Sequence, residues 1–323
     1  MKIARAALAA SLVAAFIAPT MGRAATPRDV PICASATVHA VTPPSGFNPL
    51  SATADQLRCY GFPARPTDAP GLQMWTNAMQ LAKEYVAPAF TAAPRHSNLP
   101  HGLPRRLPHG VSGSVSSSNY SGYSALQSSN SSLSKFVEAS AQWNVPRAYS
   151  TPAGQWASPW VGMGGTSSGS CCILQAGQDS TPGSTPTYKF WYEDLPANTV
   201  YYASAPSISY GNQVYVDVTD NQNGTATFFW ENLASGQYTS YTPNVSYYDD
   251  SSADWIVEYT GQSWNFGTVG FTAVHTNAMQ NGVNAGFNLS QLNETKYYVP
   301  GGACPAAPFN GGTSFNDTAS GSC

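Results

Sequence analysis

Short stretches of β-branched and aromatic residues recur through the second two thirds of the chain, separated by clusters of Gly, Asn, Asp, Ser and Pro. The stretches 136–145, 155–161, 187–192, 213–218, 225–230, 255–259 and 269–274 read as strands, and no long amphipathic helix pattern follows Gly110. The pattern predicts an all-β domain, an antiparallel sandwich, though periodicity alone does not separate two packed sheets from a closed barrel. Pro159 marks 155–161 as the weakest strand, confined to a sheet edge because proline brings no N–H to a ladder. Ahead of Gly110, the stretch 72–85 spaces Met74, Trp75, Met79, Leu81 and Ala82 in a partly helical pattern, which predicts one short helix docking on the β domain.

The N-terminus reads as a processing signal. Lys2 and Arg5 precede an apolar run from Ala6 to Ala18, and Gly22-Arg23-Ala24 offers small residues for cleavage after Ala24. Residues 1–24 are therefore expected to be a signal peptide, the run being short of the roughly 20 residues that span a bilayer. The product is expected to be secreted and extracellular, with no membrane segment.

Charge divides the rest. Only 10% of the 323 residues are charged and the net charge is −3, which argues against a nucleic-acid partner. Within that total, 25–110 holds seven basic against four acidic residues, a balance of +3, and four of the five histidines. Residues 111–323 hold four basic against 13 acidic residues, a balance of −9, with His275 as the lone imidazole. The stretch 94–110, with four prolines, three arginines and three histidines, reads as an extended, protease-accessible linker. Residues 25–110 are thus expected to be a pro-segment acting as intramolecular inhibitor on a catalytic domain at 111–323. Opposite charge would hold the two together near neutral pH and acid would loosen them.

Six cysteines in an exported chain favour disulfides over metal ligation. Cys33 could pair with Cys59 and Cys304 with Cys323, but pairing of adjacent Cys171 and Cys172 with the C-terminal cysteines is equally open, so the connectivity is not fixed by the sequence. Sequons at Asn119, Asn130, Asn223, Asn244, Asn288, Asn293 and Asn316 are what an Asn/Ser/Thr-rich chain generates by composition.

Familiar catalytic arrangements fit poorly. His275 follows a strand-like run, where a surface imidazole is the commoner explanation. The Gly-x-Ser-x-Gly match around Ser167 lacks a following helix, and Gly162-Met163-Gly164-Gly165-Thr166 lacks the lysine of a phosphate loop, so its glycines read as backbone-conformation residues. Carboxylates remain. Glu193 follows the aromatics Phe190, Trp191 and Tyr192, and strand alternation places Glu258 on one face with Asp254 and Ile256, a half-buried position that would raise its pKa.

At these segments the chain resembles the glutamic peptidases, the eqolisin family of acid-acting endopeptidases. The matching motifs run in order from Ser118-Asn119-Tyr120-Ser121-Gly122 through Ser140-Ala141-Gln142-Trp143-Asn144-Val145-Pro146, Trp160-Val161-Gly162 and Ile173-Leu174-Gln175-Ala176-Gly177. They continue with Trp191-Tyr192-Glu193, Glu231-Asn232-Leu233-Ala234-Ser235-Gly236-Gln237 and Trp255-Ile256-Val257-Glu258. The resemblance implies a two-sheet sandwich of the concanavalin or jelly-roll type and a catalytic dyad of Gln175 and Glu258, with Trp160, Trp191 and Glu193 near the substrate cleft. It also implies polypeptide substrates, insensitivity to pepstatin, and a monomer needing no cofactor or metal. Two positions depart from the family pattern: Gly164 stands where an Asp is usual, and Lys189 where some members are acidic, which should alter subsite preference. A glycan-binding module would need neither dyad residue, and a retaining glycosidase would pair Glu193 with Glu258 at about 5 to 5.5 Å.

Overall fold

The computed structural model describes residues 42–94, 113–148, 156–165, 172–195, 199–245, 249–259, 265–319 and 323. Two helices, α1 (Ala54–Cys59) and α2 (Ala69–Leu81), precede β1 (Glu84–Tyr85), β2 (Phe90–Pro94), β3 (Gly113–Ser116), β4 (Tyr120–Leu126) and β5 (Leu133–Asn144). There follow β6 (Ala157–Gly164), β7 (Ile173–Thr181), β8 (Thr187–Asp194), β9 (Thr199–Ala203), β10 (Gln213–Asp220), β11 (Ala226–Asn232) and β12 (Gln237–Tyr241). The chain closes with β13 (Ser252–Tyr259), β14 (Thr268–Gln280), β15 (Val283–Phe287), β16 (Glu294–Tyr298), β17 (Ala303–Pro305) and β18 (Phe315–Ala319).

These strands form two sheets. The first runs β1-β12-β11-β10-β5-β14-β18-β17, with β15 also on β14; the second runs β2-β9-β8-β7-β6-β13-β4-β16-β3. The predicted sandwich is present, but the sheets are mixed rather than wholly antiparallel, because edge strands β1 and β3 pair in parallel with β12 and β16.

Alternation builds the core. Val214, Val216 and Val218 of β10 and Phe228 and Trp230 of β11 point between the sheets, where they meet Phe190, Trp255 and Val257 of the second sheet. The Trp255 indole Nε1 donates to the Ser140 carbonyl at 2.9 Å, tying the sheets together through the core. Among the described residues after Gly110 helix is confined to short 3-10 turns, as the sequence pattern requires.

Pro159 departs from expectation. It lies in β6, an interior strand between β7 and β13, and not at an edge. The ladder accommodates it by irregularity: β6 pairs with β7 at Ala157 and again from Trp160 onward, leaving Ser158 and Pro159 out of that register.

The segment before β3 is folded onto the sandwich. Helix α1 begins at a capping box of Thr53 and Gln56, and α2 begins at Asp68, whose carboxylate accepts from the Gly71 amide at 2.8 Å. The expected helix is α2, displaced a few residues toward the N-terminus. Phe62 packs on Phe229 and Tyr238 of the first sheet with ring centroids 5.7 and 5.0 Å apart. Trp75 is buried, and its indole donates to the Pro63 carbonyl at 3.1 Å. The outward side chains of β10 and β11, Tyr215, Asp217, Phe229 and Glu231, are thereby buried although they face away from the core.

The surface imidazole expected at His275 is instead only 2% exposed. Its Nε2 lies 2.8 Å from Asp68 Oδ2 and its Nδ1 3.1 Å from Glu138 Oε2, so it bridges the α2 cap and β5. Strand propensity around His275 carried no hint that another segment would cover that face.

Cys304 and Cys323 form a disulfide, one of the pairings that the sequence leaves open. Cys59 and Cys172 are also disulfide-bonded. The proposed signal peptide, nearly all of the 94–110 linker and Ser167 lie outside the described residues. No helix among the described residues is long and apolar enough to cross a membrane.

Candidate active site

Every site residue named from sequence lies on the outer face of the second sheet. Strand register arranges them in rows across neighbouring strands. Asp254 of β13 stands opposite Gly162 of β6, which stands opposite Gln175 of β7, which stands opposite Glu193 of β8. The next row on this face holds Ile256, Trp160, Gly177 and Trp191. Glu258 opposes Ser158 one row further on.

The glycines in these rows make room for large neighbours. A Cβ on Gly177 would come within 2.6 Å of the Trp160 Cβ and 2.8 Å of Trp191 Cζ2, so the two indoles share the space its missing side chain leaves. Tyr120, Trp160, Ile173, Trp191, Val200 and Ile256 form a second apolar cluster here, separate from the main core. Trp160 meets Tyr120 edge-on at 6.2 Å.

Polar groups thread through this apolar floor. Gln175 Nε2 donates to Glu193 Oε2 at 2.6 Å, with both residues fully buried. Glu258 is 2% exposed, and its Oε1 accepts from Asn119 Nδ2 at 3.2 Å. A small cavity beside them is lined by Ser158, Asp179, Trp191, Glu193, Tyr202 and Glu258. The structure therefore brings Glu193 to both members of the expected dyad: bonded to Gln175, and on one cavity wall with Glu258. Gln175 itself is not on that wall.

Sequence reasoning missed the groups that support this arrangement. The Trp191 indole donates to Ser158 Oγ at 2.9 Å, Ser158 Oγ donates to Asp179 Oδ1 at 2.6 Å, and the Tyr202 hydroxyl donates to Asp179 Oδ2 at 2.5 Å. Burial, then the Asp179 charge, pushes the Tyr202 phenol far above its ordinary pKa, so it stays a donor. Asp179 could have been found: Ile173, Gln175, Gly177 and Asp179 share one face by period-two alternation. Asp254 is also buried on this face, and burial pushes its carboxyl well above the usual carboxylate range. Asn119 belongs to the first family motif, and its buried amide is engaged with Glu258, which removes it as a glycan acceptor in this fold.

The two family departures have local explanations. Gly164 adopts φ +92, and a Cβ there would meet the Cys172 carbonyl at 2.6 Å and Asp249 Oδ1 at 2.8 Å. Asp249 thus fills the space an acidic side chain at 164 would enter, and it accepts from the Gly165 amide at 3.0 Å. Restoring the family residue with Gly164→Asp is expected to destabilise the fold by about 1–3 kcal/mol, because it adds left-handed strain and a close like charge. A thermal melt showing an unchanged Tm would contradict this. Lys189 stacks its ammonium over Tyr202 at 5.6 Å, at the margin of the site.

Among the described residues there is no cluster of three or more His, Cys, Asp or Glu side chains able to hold a metal ion.

The model of the peptidase A4 family matches residues 118–297. Solved structures give weaker likenesses. Scytalido-glutamic peptidase with a peptide-based transition-state analogue is 23% identical, with 62% of this chain and 98% of that one covered and a TM-score of 0.48. An eqolisin-family peptidase, SCP-B, in complex with the tripeptide Ala-Ile-His is 22% identical over 62% of this chain and 98% of that one, at 0.46. Aspergilloglutamic peptidase from Aspergillus niger is 26% identical over 51% of this chain and 98% of that one, at 0.41. No curated protein matches.

Proposed function

Because this chain belongs to the peptidase A4 family and is a glutamic-type peptidase, we propose that it is a secreted, acid-acting endopeptidase using Gln175 and Glu258 as its dyad. The observation that carries this reading is the buried carboxylate of Glu258 beside a cavity on the outer sheet face, with Gln175 held on the same face by Glu193. Glu258, ionised, takes a proton from a water that attacks the scissile carbonyl, and the Gln175 amide donates to the oxyanion that develops. The same carboxyl then returns its proton to the leaving amine, so the cycle closes without a covalent intermediate. Asn119, donating to Glu258 Oε1 at 3.2 Å, fixes the orientation of that carboxyl group. Trp160 and Trp191 supply an apolar floor for an extended polypeptide, and backbone hydrogen bonds would hold it.

Glu193 fixes which way the Gln175 amide points. Its carboxylate accepts one N–H, leaving the second for substrate. Glu193→Gln is accordingly expected to lower kcat on the order of 10- to 100-fold with little change in KM, as a misplaced oxyanion donor would. A raised KM at unchanged kcat would make Glu193 a substrate-binding residue instead.

The chain is made, on this reading, as a zymogen with a signal peptide at 1–24 and a pro-segment at 25–110, and works as a pepstatin-insensitive monomer without metal. The charge split between 25–110 and 111–323 supports it, as does the reach of β2 to the edge of the sheet that bears the site. The retaining glycosidase keeps one supporting observation, Glu193 and Glu258 on one cavity. The Gln175 hydrogen bond to Glu193 weighs against it, because a nucleophilic carboxylate would be blunted by that engagement.

The deciding experiment is cleavage of a denatured protein by the purified chain from acid to neutral pH with pepstatin present. Acid cleavage supports the reading, and no cleavage at any pH even from chain processed in the linker overturns it.

A further inference from the structure

We infer that residues 42–94 are a permanent part of the working enzyme: the outer face of the first sheet is their interface, and a cut in the chain beyond Pro94 leaves them in place. This refines the zymogen reading, by which 25–110 leaves as a whole.

The segment is built into the sandwich in three ways. It completes both sheets, β1 extending the first beside β12 and β2 extending the second beside β9. It contributes to the core itself, since Phe90 packs against the core cluster, edge-on to Tyr192 at 5.3 Å and 4.6 Å from Tyr241. And it covers the first sheet's outer face with Phe62, Trp75 and the Tyr60 carbonyl, which accepts from Ser240 Oγ at 3.4 Å. Contacts place the described residues of this segment in one compact unit with the sandwich. Taking the segment away would bare Tyr215, Phe229 and Tyr238 together, an aromatic patch that a soluble domain seldom leaves open. This face is the opposite side of the sandwich from Gln175 and Glu258, so the helical part of the segment can remain without obstructing substrate.

The charges at the interface favour retention in acid. His275 meets Asp68 from α2, Glu138 from β5, and beyond Glu138 the pair Asp217 and Tyr215 of β10. Burial alone would lower the His275 imidazole, but the Glu138 charge and the hydrogen bonds to Asp68 and Glu138 hold it up at about 10. Its contribution is fully present below the ordinary histidine value, shrinks above it and is gone once pH passes about 10. The hydrogen bond to His275 holds the Asp68 carboxyl below its usual value, so this contribution survives until pH falls through that lowered value. Glu231, between Tyr215 and Tyr238 on the covered face, is raised by burial to about 9. Asp217 is raised well above its range by burial and then by Glu138. Uncovering either would let it ionise at neutral pH but not in acid, so these two groups also hold the segment more firmly as pH falls toward the carboxylate range. The loosening in acid expected from net charge is opposed by the groups actually at the interface.

The test uses the full chain carrying Glu258→Gln, so that its outcome does not depend on the proposed peptidase activity. A recognition site for a sequence-specific protease is inserted after Gly102, the chain is cut, and size exclusion is run at about pH 4.5 and about pH 7.5. The expected result is one species containing both pieces at both pH values, separated only by denaturant. Release of the segment at either pH from a sandwich that stays folded and soluble would overturn the inference. Hydrogen exchange on the uncut chain gives a second reading should the insertion perturb folding. Amides of α2, β1 and β2 as slow as those of β10 and β11 support it, and a separately opening N-terminal unit overturns it.

Discussion

Replacing Glu258 by Gln is expected to lower kcat by about 10³-fold or more at the acid optimum while leaving KM within about twofold, because it removes the proton acceptor without changing side-chain size. Gln175→Ala removes an oxyanion donor and is expected to cost on the order of 10²- to 10³-fold. The two should combine non-additively, the double variant being little slower than Glu258→Gln alone, since the amide stabilises a charge that only the base-assisted attack creates. Both side chains are essentially fully buried, so each variant needs a thermal melt beside the rate. Retained Tm with lost turnover assigns the loss to chemistry. Retained turnover in both variants would move the dyad elsewhere, with Glu193 and Asp179 on the same cavity as the nearest alternatives.

The strand pattern made the sandwich legible and period-two alternation made the site side of β13 legible, whereas Gln175 was singled out only by the family resemblance. Val214, Val216 and Val218 reveal the core side of β10, and Asp254, Ile256 and Glu258 reveal the site side of β13. Strands β4 and β7 were harder to see. Their small residues, Ser121, Gly122, Ser124 and Ala125 in one and Ala176, Gly177 and Ser180 in the other, carry little strand propensity of their own. These strands form by being paired on both sides. Pro159 misled because the rule about edges concerns a missing hydrogen bond, and a local gap in the β6–β7 register satisfies it inside a sheet. Period-two reading also gave no warning of Glu231, which looks outward from the core yet is buried by a segment far away in sequence. Alternation tells which residues share a face, and only tertiary structure tells what covers that face.

His275 shows what such covering does to energetics, and its removal is the largest stability effect expected outside the core. His275→Ala would leave Glu138 without its buried cationic neighbour and Asp68 without the imidazole that bonds it, a loss of about 3–5 kcal/mol by analogy with broken buried ion pairs. The sign with pH follows from the raised imidazole. Wild type binds the extra proton when folded up to about pH 10 but when unfolded only up to its ordinary value of 6.5. The stabilisation is therefore complete below about pH 6.5, shrinks steadily above it and vanishes as pH passes the folded value. Urea melts of wild type and His275→Ala at about pH 6 and about pH 10 are expected to differ widely at the first and converge at the second. A gap that stays constant with pH would mean that the imidazole is neutral and acts only by packing.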